Sequence, residues 1–114
     1  MYYTCVASIT TKNGQMPELL RKAELELLPL YRDLPGFAGF SVTKTSDVSA
    51  IALSLWQTRD QAKYSIVASE QVISVGFASL IERIENHVGV TPFFVFTGEV
   101  VASASAAPVA GRKI

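Results

Sequence analysis

The order of the secondary-structure elements constrains this chain more than any other feature of its sequence. Strand-like runs, rich in β-branched and aromatic residues and bounded by turn signals, cover residues 2–10, 37–45, 49–57 and 90–101. Helical stretches with apolar residues three and four apart run from Pro17 to Leu34 and from Thr58 to Ile84. Because proline disturbs a helix interior, Pro29 is expected to bend or break the first helix. The resulting order is β-α-β-β-α-β.

This order is that of the split βαβ arrangement, in which right-handed crossovers place both helices on one face of the sheet. The sequence therefore predicts an α+β, ferredoxin-like domain with a four-stranded antiparallel sheet. The domain is predicted to span residues 1–101. Residues 102–114 form a tail of small residues without periodicity, a composition that does not fold alone.

The second face of the sheet is predicted to be apolar although no helix covers it. In the third strand Ile51, Leu53 and Leu55 alternate with Ala52, Ser54 and Trp56, and in the fourth Phe93 and Val95 alternate with Phe94 and Phe96. A second copy of the sheet is the simplest cover, which predicts a homodimer whose two sheets form an α+β barrel. Thr58 and Gln61 fit a capping box, so a helix is expected to start there. Trp56 ends its strand just before this helix, so its face is expected to lie under the helices. Ile51, Leu53 and Leu55 would then face the partner.

Composition narrows the function classes. Ten basic and ten acidic residues give a net charge of zero, which argues against nucleic-acid and membrane partners. A single cysteine, Cys5, excludes an internal disulfide. No apolar run approaches the ~18 residues of a membrane span, and the N-terminus lacks the pattern of a signal peptide. We therefore expect a cytoplasmic protein. Charged residues are only 18% of the chain, against about 25% in typical domains, which also favours an oligomer.

Two short motifs carry a resemblance to a known family. Leu34-Pro35-Gly36-Phe37 joins the first helix to the second strand, and Trp56-Gln57-Thr58, followed by Ala62, joins the third strand to the second helix. With the element order, these residues resemble the antibiotic biosynthesis monooxygenase family of small dimeric α+β barrels, over about residues 1–101. That family includes oxygenases, haem-degrading enzymes and isomerases.

The resemblance implies a substrate pocket between the sheet and the helices. Some members there oxidise polycyclic phenols or hydroquinones with oxygen and need no metal or flavin, so no cofactor is expected. In such a site the protein holds an electron-rich substrate, favours its deprotonation and stabilises the anion. Quinone-forming members place an Asn four residues before the Trp, where this chain has Ala52. Haem-degrading members carry a His in the helix after the Trp, and this chain has none there.

The substrate-binding residues are predicted to be Trp56, Tyr64, Ser54, Ser8 and Phe77. Trp56 serves either as a pocket wall or as ordinary core. The Tyr64 hydroxyl either binds a phenolate or reaches solvent. No catalytic residue is identified, and with one His and one Cys no metal site of nitrogen and sulfur ligands is expected.

The function predicted from these observations is that of a monooxygenase-like enzyme without a cofactor, acting on an aromatic or polyketide-like small molecule. Two alternatives stay open. One is a small-molecule-binding domain that does not catalyse, which the alanine at position 52 favours. The other is a structural dimerisation or interaction module of the same fold, which a pocket filled by side chains would favour.

Overall fold

The computed structural model describes residues 1–95 and has the element order β-α-β-β-α-β. The elements are β1 (Tyr2–Thr11), α1 (Met16–Lys22), a π-helical turn (Ala23–Leu27), α2 (Leu28–Arg32), β2 (Phe37–Lys44), β3 (Ser49–Trp56), α3 (Arg59–Gly76) and β4 (Ile81–Thr91). The strands form one antiparallel sheet in the order β2-β3-β1-β4. The predicted ferredoxin-like α+β fold is confirmed. The predicted boundary between domain and tail at residue 101 lies outside the described residues.

The first helical segment changes its hydrogen bonding just before Pro29. The Leu28 N–H donates to the carbonyl of Ala23, five residues earlier, in place of the four of an α-helix. Pro29 then occupies the first turn of α2, where its missing N–H leaves no bond unmade. The segment therefore continues past the proline through a widened turn. Within residues 1–95, no helix is both long enough and apolar enough to span a membrane.

The sequence prediction for the end of the second helix is wrong. The helical spacing predicts a helix through Ile84, followed by a strand over residues 90–101. In the structure α3 runs unbroken through Ser69 to Gly76, and β4 has begun at Ile81. Residues 92–95 have no regular secondary structure, and residues 96–101 lie outside the described part of the chain.

A β-bulge explains this error. Thr11 pairs with Ile81 while Thr10 pairs with Arg83, so Glu82 is an extra residue in β4. The extra residue turns the strand, so that Ile81 and Ile84 both face the helices although they are three residues apart. Apolar residues at that spacing are typical of a helix, and the sequence alone offers no sign of the bulge.

The helices cover one face of the sheet, which we call the helix face. They leave the other face, the open face, uncovered. As predicted, Trp56 and Ser54 lie on the helix face, where they are 0% and 5% exposed. Ile51 and Leu53 lie on the open face and are 36% and 39% exposed. Leu55 differs from its two companions, because it is only 9% exposed.

The chain beyond β4 returns over one end of the open face. There Phe94 packs edge-on against Tyr2, with ring centroids 4.7 Å apart. Leu55 lies at the same end of β3, paired with Thr4 of β1. The apolar surface left uncovered is therefore centred on Ile51 and Leu53.

The loop before β2 packs directly on the start of α3, which requires a glycine. Gly36 has φ +81°, and a Cβ there would overlap the Gln61 side chain. Gln61 also closes the capping box, because its Oε1 accepts the Thr58 N–H at 3.1 Å and its own N–H donates to Thr58 Oγ1 at 3.1 Å. The two motifs that carry the family resemblance thus meet in space.

Replacing this glycine is expected to destabilise the fold measurably. Gly36→Ala should lower the free energy of unfolding by roughly 2–3 kcal/mol, of which about 1 comes from the positive φ and the rest from displacing Gln61. Gly14 is the matched control, since its φ is +76° and an added Cβ would meet nothing within 4 Å. Gly14→Ala should therefore cost only about 1 kcal/mol. Urea unfolding of both variants measures the difference, and equal losses would show that Gln61 adjusts freely.

Candidate functional site

Trp56 lies in a cluster of aromatic rings on the helix face. Its ring meets Phe37 at 5.6 Å between centroids and Tyr31 at 5.8 Å, both edge-on, and Tyr31 meets Phe40 at 5.1 Å. A second bulge makes this possible, because Ala38 is an extra residue between Phe37 and Gly39 and so places Phe37 and Phe40 on one face. Trp56 is enclosed by protein rings, as ordinary core residues are.

A row of hydrogen-bonding side chains, the hydrogen-bond chain, crosses three strands beside this cluster. The Trp56 indole N–H donates to Ser54 Oγ at 2.9 Å. Ser54 lies directly opposite Cys5 on β1, so the two side chains are neighbours on one face of the sheet. The Cys5 thiol in turn donates to Asn86 Oδ1 on β4, with 3.9 Å between sulfur and oxygen. The indole, hydroxyl and thiol are buried, and the chain ends at an exposed amide.

The titratable groups of this region stay neutral. Burial raises the pKa of the Cys5 thiol and outweighs the hydrogen bond with Ser54, which lowers it. Burial also raises the pKa of the Tyr31 phenol, although its hydrogen bond with Ser69 acts in the opposite direction. Both groups therefore remain protonated at neutral pH, and the region can donate hydrogen bonds but holds no base among its described residues.

A small apolar cavity lies between the sheet and the helices. Its volume is ≈ 20 Å³, room for about one water molecule. The lining side chains described by the structure are all apolar: Ile9, Leu19, Ala23, Leu27, Val42, Ala52, Ile73, Phe77, Ile81 and Ile84. Such a wall offers water no partner, so the site favours apolar groups.

A cation lies next to one residue of the cavity wall. Lys22 Nζ lies 5.4 Å from the centroid of the Phe77 ring, whose side chain forms part of the wall. The same ammonium group is 3.5 Å from Glu26 Oε2. The Lys22 side chain is only 18% exposed, so its charge is partly shielded from water and acts over the ring.

The sequence matches no protein-family model and no curated protein sequence. Its fold, however, matches solved structures. SnoaB from Streptomyces nogalater, a cofactor-independent oxygenase, superposes with a TM-score of 0.66 and 13% identity over 82% of this chain and 96% of that one. A candidate antibiotic biosynthesis monooxygenase from Nitrosomonas europaea gives 0.67 and 14%, over 81% and 91%. Rv0793 from Mycobacterium tuberculosis gives 0.64 and 10%, over 85% and 100%.

The chain shares the fold of these solved structures. The resemblance carried by the two motifs is thus confirmed for the architecture, and identities of 10–16% among the matches extend it no further.

Within this fold, three of the five predicted site residues lie on the helix side of the sheet. Phe77 lines the cavity and is 1% exposed. Trp56 and Ser54 lie on the same face and are buried in the aromatic cluster and the hydrogen-bond chain. The structure therefore brings these three to one layer of the molecule.

The other two predicted residues lie elsewhere. Ser8 is exposed on the open face, where it pairs with Ile51 and Glu85. Tyr64 is 55% exposed on the outer side of α3. The inward face of that helix carries Ala62, Ser65 and Ser69. The serines can face the core because each hydroxyl donates to a carbonyl of its own helix, as Ser65 does to Ala62 at 2.6 Å.

Asn86 is the polar residue of this layer that the sequence analysis missed. The helical spacing predicts it at the end of a helix, whereas it lies in β4 on the helix face. Ile84, Asn86 and Val88 are two residues apart and share that face, and this period of two was the available signal. The helix-like spacing of Ile81 and Ile84 concealed it.

Proposed function

We propose that this protein binds an aromatic or polyketide-like small molecule between sheet and helices and oxygenates it without a cofactor. The observation that carries the proposal is the apolar cavity against Ala52 and Phe77. It lies in a fold shared with SnoaB, which is described as a cofactor-independent oxygenase. A flat apolar ring suits a wall of this kind.

The proposed chemistry is oxygenation of an electron-rich ring next to an ionised phenol. The substrate loses a proton, its carbanion transfers electrons to O₂, and C=O replaces the two C–H bonds of the reacting carbon, whose hydrogens leave in water. For a ring methylene, CH₂ and O₂ become C=O and H₂O, which balances without another reductant. The protein would contribute a water-poor site and charge stabilisation of the anion. The Lys22 ammonium, over the Phe77 ring, would attract that anion, although its ion pair with Glu26 weakens the effect.

Binding of a ring requires the site to open. A cavity of ≈ 20 Å³ holds about one water, and Phe77, just after α3, occupies the adjoining space. The inward face of α3 carries small side chains, Ala62, Ser65 and Ser69. Small side chains interlock less deeply with the sheet than large ones, so the contacts that opening must break lie mainly at the end of α3, at Ile73 and Phe77.

A second function, binding without catalysis, has its own support. The cavity wall is apolar throughout its described lining, and Ala52 has no hydrogen-bonding group to offer a substrate oxygen. Such a site retains a hydrophobic ligand but does little to stabilise a reacting anion. Turnover separates the two functions.

We also propose that the working form is a homodimer joined through the open face. Ile51 and Leu53 are exposed there, and Val6 lies beside Leu53 on β1. The neighbouring strand β4 presents Glu85 and His87 on the same face. An apolar centre beside a polar border is the usual composition of a protein interface.

Oxygen uptake tests the proposed activity. The metal-free protein should consume O₂ with at least one member of a panel of anthrones, naphthols and hydroquinones. Ala52→Leu, which fills the cavity, should lower the rate at least roughly tenfold, corresponding to about 1.4 kcal/mol in the barrier. Ala78→Leu is the control, because Ala78 is exposed.

The outcomes distinguish the functions. Uptake that survives in Ala52→Leu places the reaction outside this cavity. Saturable binding of a panel compound without uptake supports the binding protein. If the protein shows neither binding nor oxygen uptake, both proposed functions are contradicted, and the structural module remains.

A further inference from the structure

Asn86 lies on the helix face, in the same row across the sheet as the cavity residue Ala52, with one strand between them. It pairs with Ala7 on β1, and Ala7 pairs with Ala52 on β3, so the three form one row across the helix face. Ala52 lines the cavity, as does Ile84, two residues before Asn86 on the same face. Adjacent strands are about 4.8 Å apart, so Asn86 stands about 10 Å from Ala52. Between Asn86 and Ala52, the only side chain of this row is that of Ala7.

The side chain of Asn86 is oriented from one end. Its Oδ1 accepts a hydrogen bond from the Cys5 thiol at 3.9 Å, and Cys5 lies opposite Ser54, which accepts the Trp56 indole N–H. Cys5, Ser54 and Trp56 are 6%, 5% and 0% exposed, so these three side chains are held within the core. Because the amide is planar, holding Oδ1 towards Cys5 turns the NH₂ group away from it.

The NH₂ group is left as a free donor pair. No acceptor among residues 1–95 bonds to Asn86 Nδ2. The other polar groups of this hydrogen-bond chain are committed: Ser54 accepts from Trp56, and the Cys5 thiol donates to Asn86. Apolar pockets typically use a small number of placed polar groups to fix the orientation of their ligand. Asn86 has the location and the free donors that such a polar group needs.

We propose that Asn86 determines ligand specificity by donating a hydrogen bond to an acceptor oxygen of the bound molecule. The ligand would lay its apolar ring over Ala7 and into the cavity at Ala52, with a carbonyl or phenolate oxygen at Asn86. The Cys5 side chain acts as a positioning group for the amide. This inference rests on the proposed binding of a small molecule, and it does not depend on catalysis.

A matched pair of probes tests the proposal: 1-tetralone, which carries a ring carbonyl, and tetralin, which has the same carbon skeleton without it. The wild-type protein should bind 1-tetralone more tightly in calorimetric titrations. Asn86→Leu should weaken 1-tetralone binding about five- to twentyfold, the effect of one hydrogen bond, and leave tetralin binding unchanged. Gln71→Leu, which removes an exposed amide from α3, should change neither.

Cys5 variants test the positioning role separately. Cys5→Ala removes the donor that holds Oδ1, so 1-tetralone binding should weaken about two- to fivefold, less than in Asn86→Leu. Cys5→Ser retains a donor and should restore most of the preference for 1-tetralone over tetralin. A purely structural role of Cys5 would instead change the affinity for both probes alike.

Two results would overturn the inference, and they differ in what they say of the binding site. If both probes bind and Asn86→Leu changes neither affinity, Asn86 is not the specificity group, although the small-molecule site stands. If neither probe binds the wild-type protein at millimolar concentration, the binding site for this ligand class fails and the inference fails with it. Equal unfolding midpoints in urea for the wild-type protein and Asn86→Leu verify that this substitution leaves the fold intact.

Discussion

Leu53→Glu is expected to convert the protein from a dimer into a monomer. Leu53 lies at the centre of the open face, between Val6 on β1 and Ser41 on β2, and is 39% exposed in the single chain. A two-fold interface contains every residue twice. Burying two leucine side chains contributes about 3 kcal/mol or more, and two buried carboxylates add a further penalty. We expect the dissociation constant to rise by roughly a thousandfold or more, since each 1.4 kcal/mol is a factor of ten.

Sedimentation equilibrium at micromolar concentration measures this effect. The wild-type protein should give about twice the chain mass of 12.3 kDa, and Leu53→Glu should give the chain mass itself. Val75→Glu is the matched control, because Val75 is 81% exposed on α3, on the opposite side of the sheet. A wild-type monomer would contradict the shared barrel. A Leu53→Glu dimer would mean that the subunits meet through another surface.

Trp56→Ala is expected to cost about 4–5 kcal/mol of the free energy of unfolding. Trp56 is 0% exposed and packs against Tyr31 and Phe37, so truncation leaves a large cavity in the core. Large-to-alanine changes of buried aromatic residues typically cost about 3–5 kcal/mol. Domains of this size are stable by only about 5–15 kcal/mol, so the variant should be partly unfolded near 37 °C. Urea unfolding at 15 °C gives the value.

The consequence for function is that Trp56→Ala is not a test of ligand binding. The Trp56 ring is enclosed by Tyr31 and Phe37 and does not line the cavity. Loss of activity in that variant would report damage to the fold. Ala52→Leu and Asn86→Leu probe the site more directly, because they alter the cavity wall and an exposed side chain.

A smaller pair of changes isolates the hydrogen bond from Trp56 to Ser54. Ser54→Ala leaves the buried indole N–H without its acceptor and should cost about 1–3 kcal/mol. Trp56→Phe keeps most of the ring packing and removes the donor. The double variant should lose about 1 kcal/mol less than the sum of the two single losses. Additive losses would mean that this bond contributes nothing to stability and that Trp56 does not help to order the chain of hydrogen bonds to Asn86.

Much of the fold followed from patterns within single elements. Thr58 and Gln61 form the predicted capping box at the start of α3. Ser54 and Trp56 face the helices as the alternation in β3 indicated. These features are local: a cap is set by residues three apart, and a strand face by residues two apart. The element order then limited the topology to the one observed.

Two of the errors share one cause. The sequence pattern groups Ser8 with Ser54, although the pairing places Ser8 opposite Ile51, on the open face. It also predicts helix over the start of β4, because the bulge at Glu82 brings Ile81 and Ile84 to one face. In both cases the deciding quantity is the register between strands far apart in the chain. A shift of one residue moves a whole strand's side chains to the other face.

The sequence by itself therefore determined the element order, the ferredoxin-like sheet and the face of β3 that lies under the helices, because these depend on local periodicity and on chain connectivity. Only the tertiary structure decided which polar groups lie on the same face of the sheet as the cavity. Cys5 and Asn86 are 81 residues apart, and no local pattern predicts their contact. The two bulges set that contact and the aromatic cluster, since each adds one residue to a strand and so selects which side chains meet.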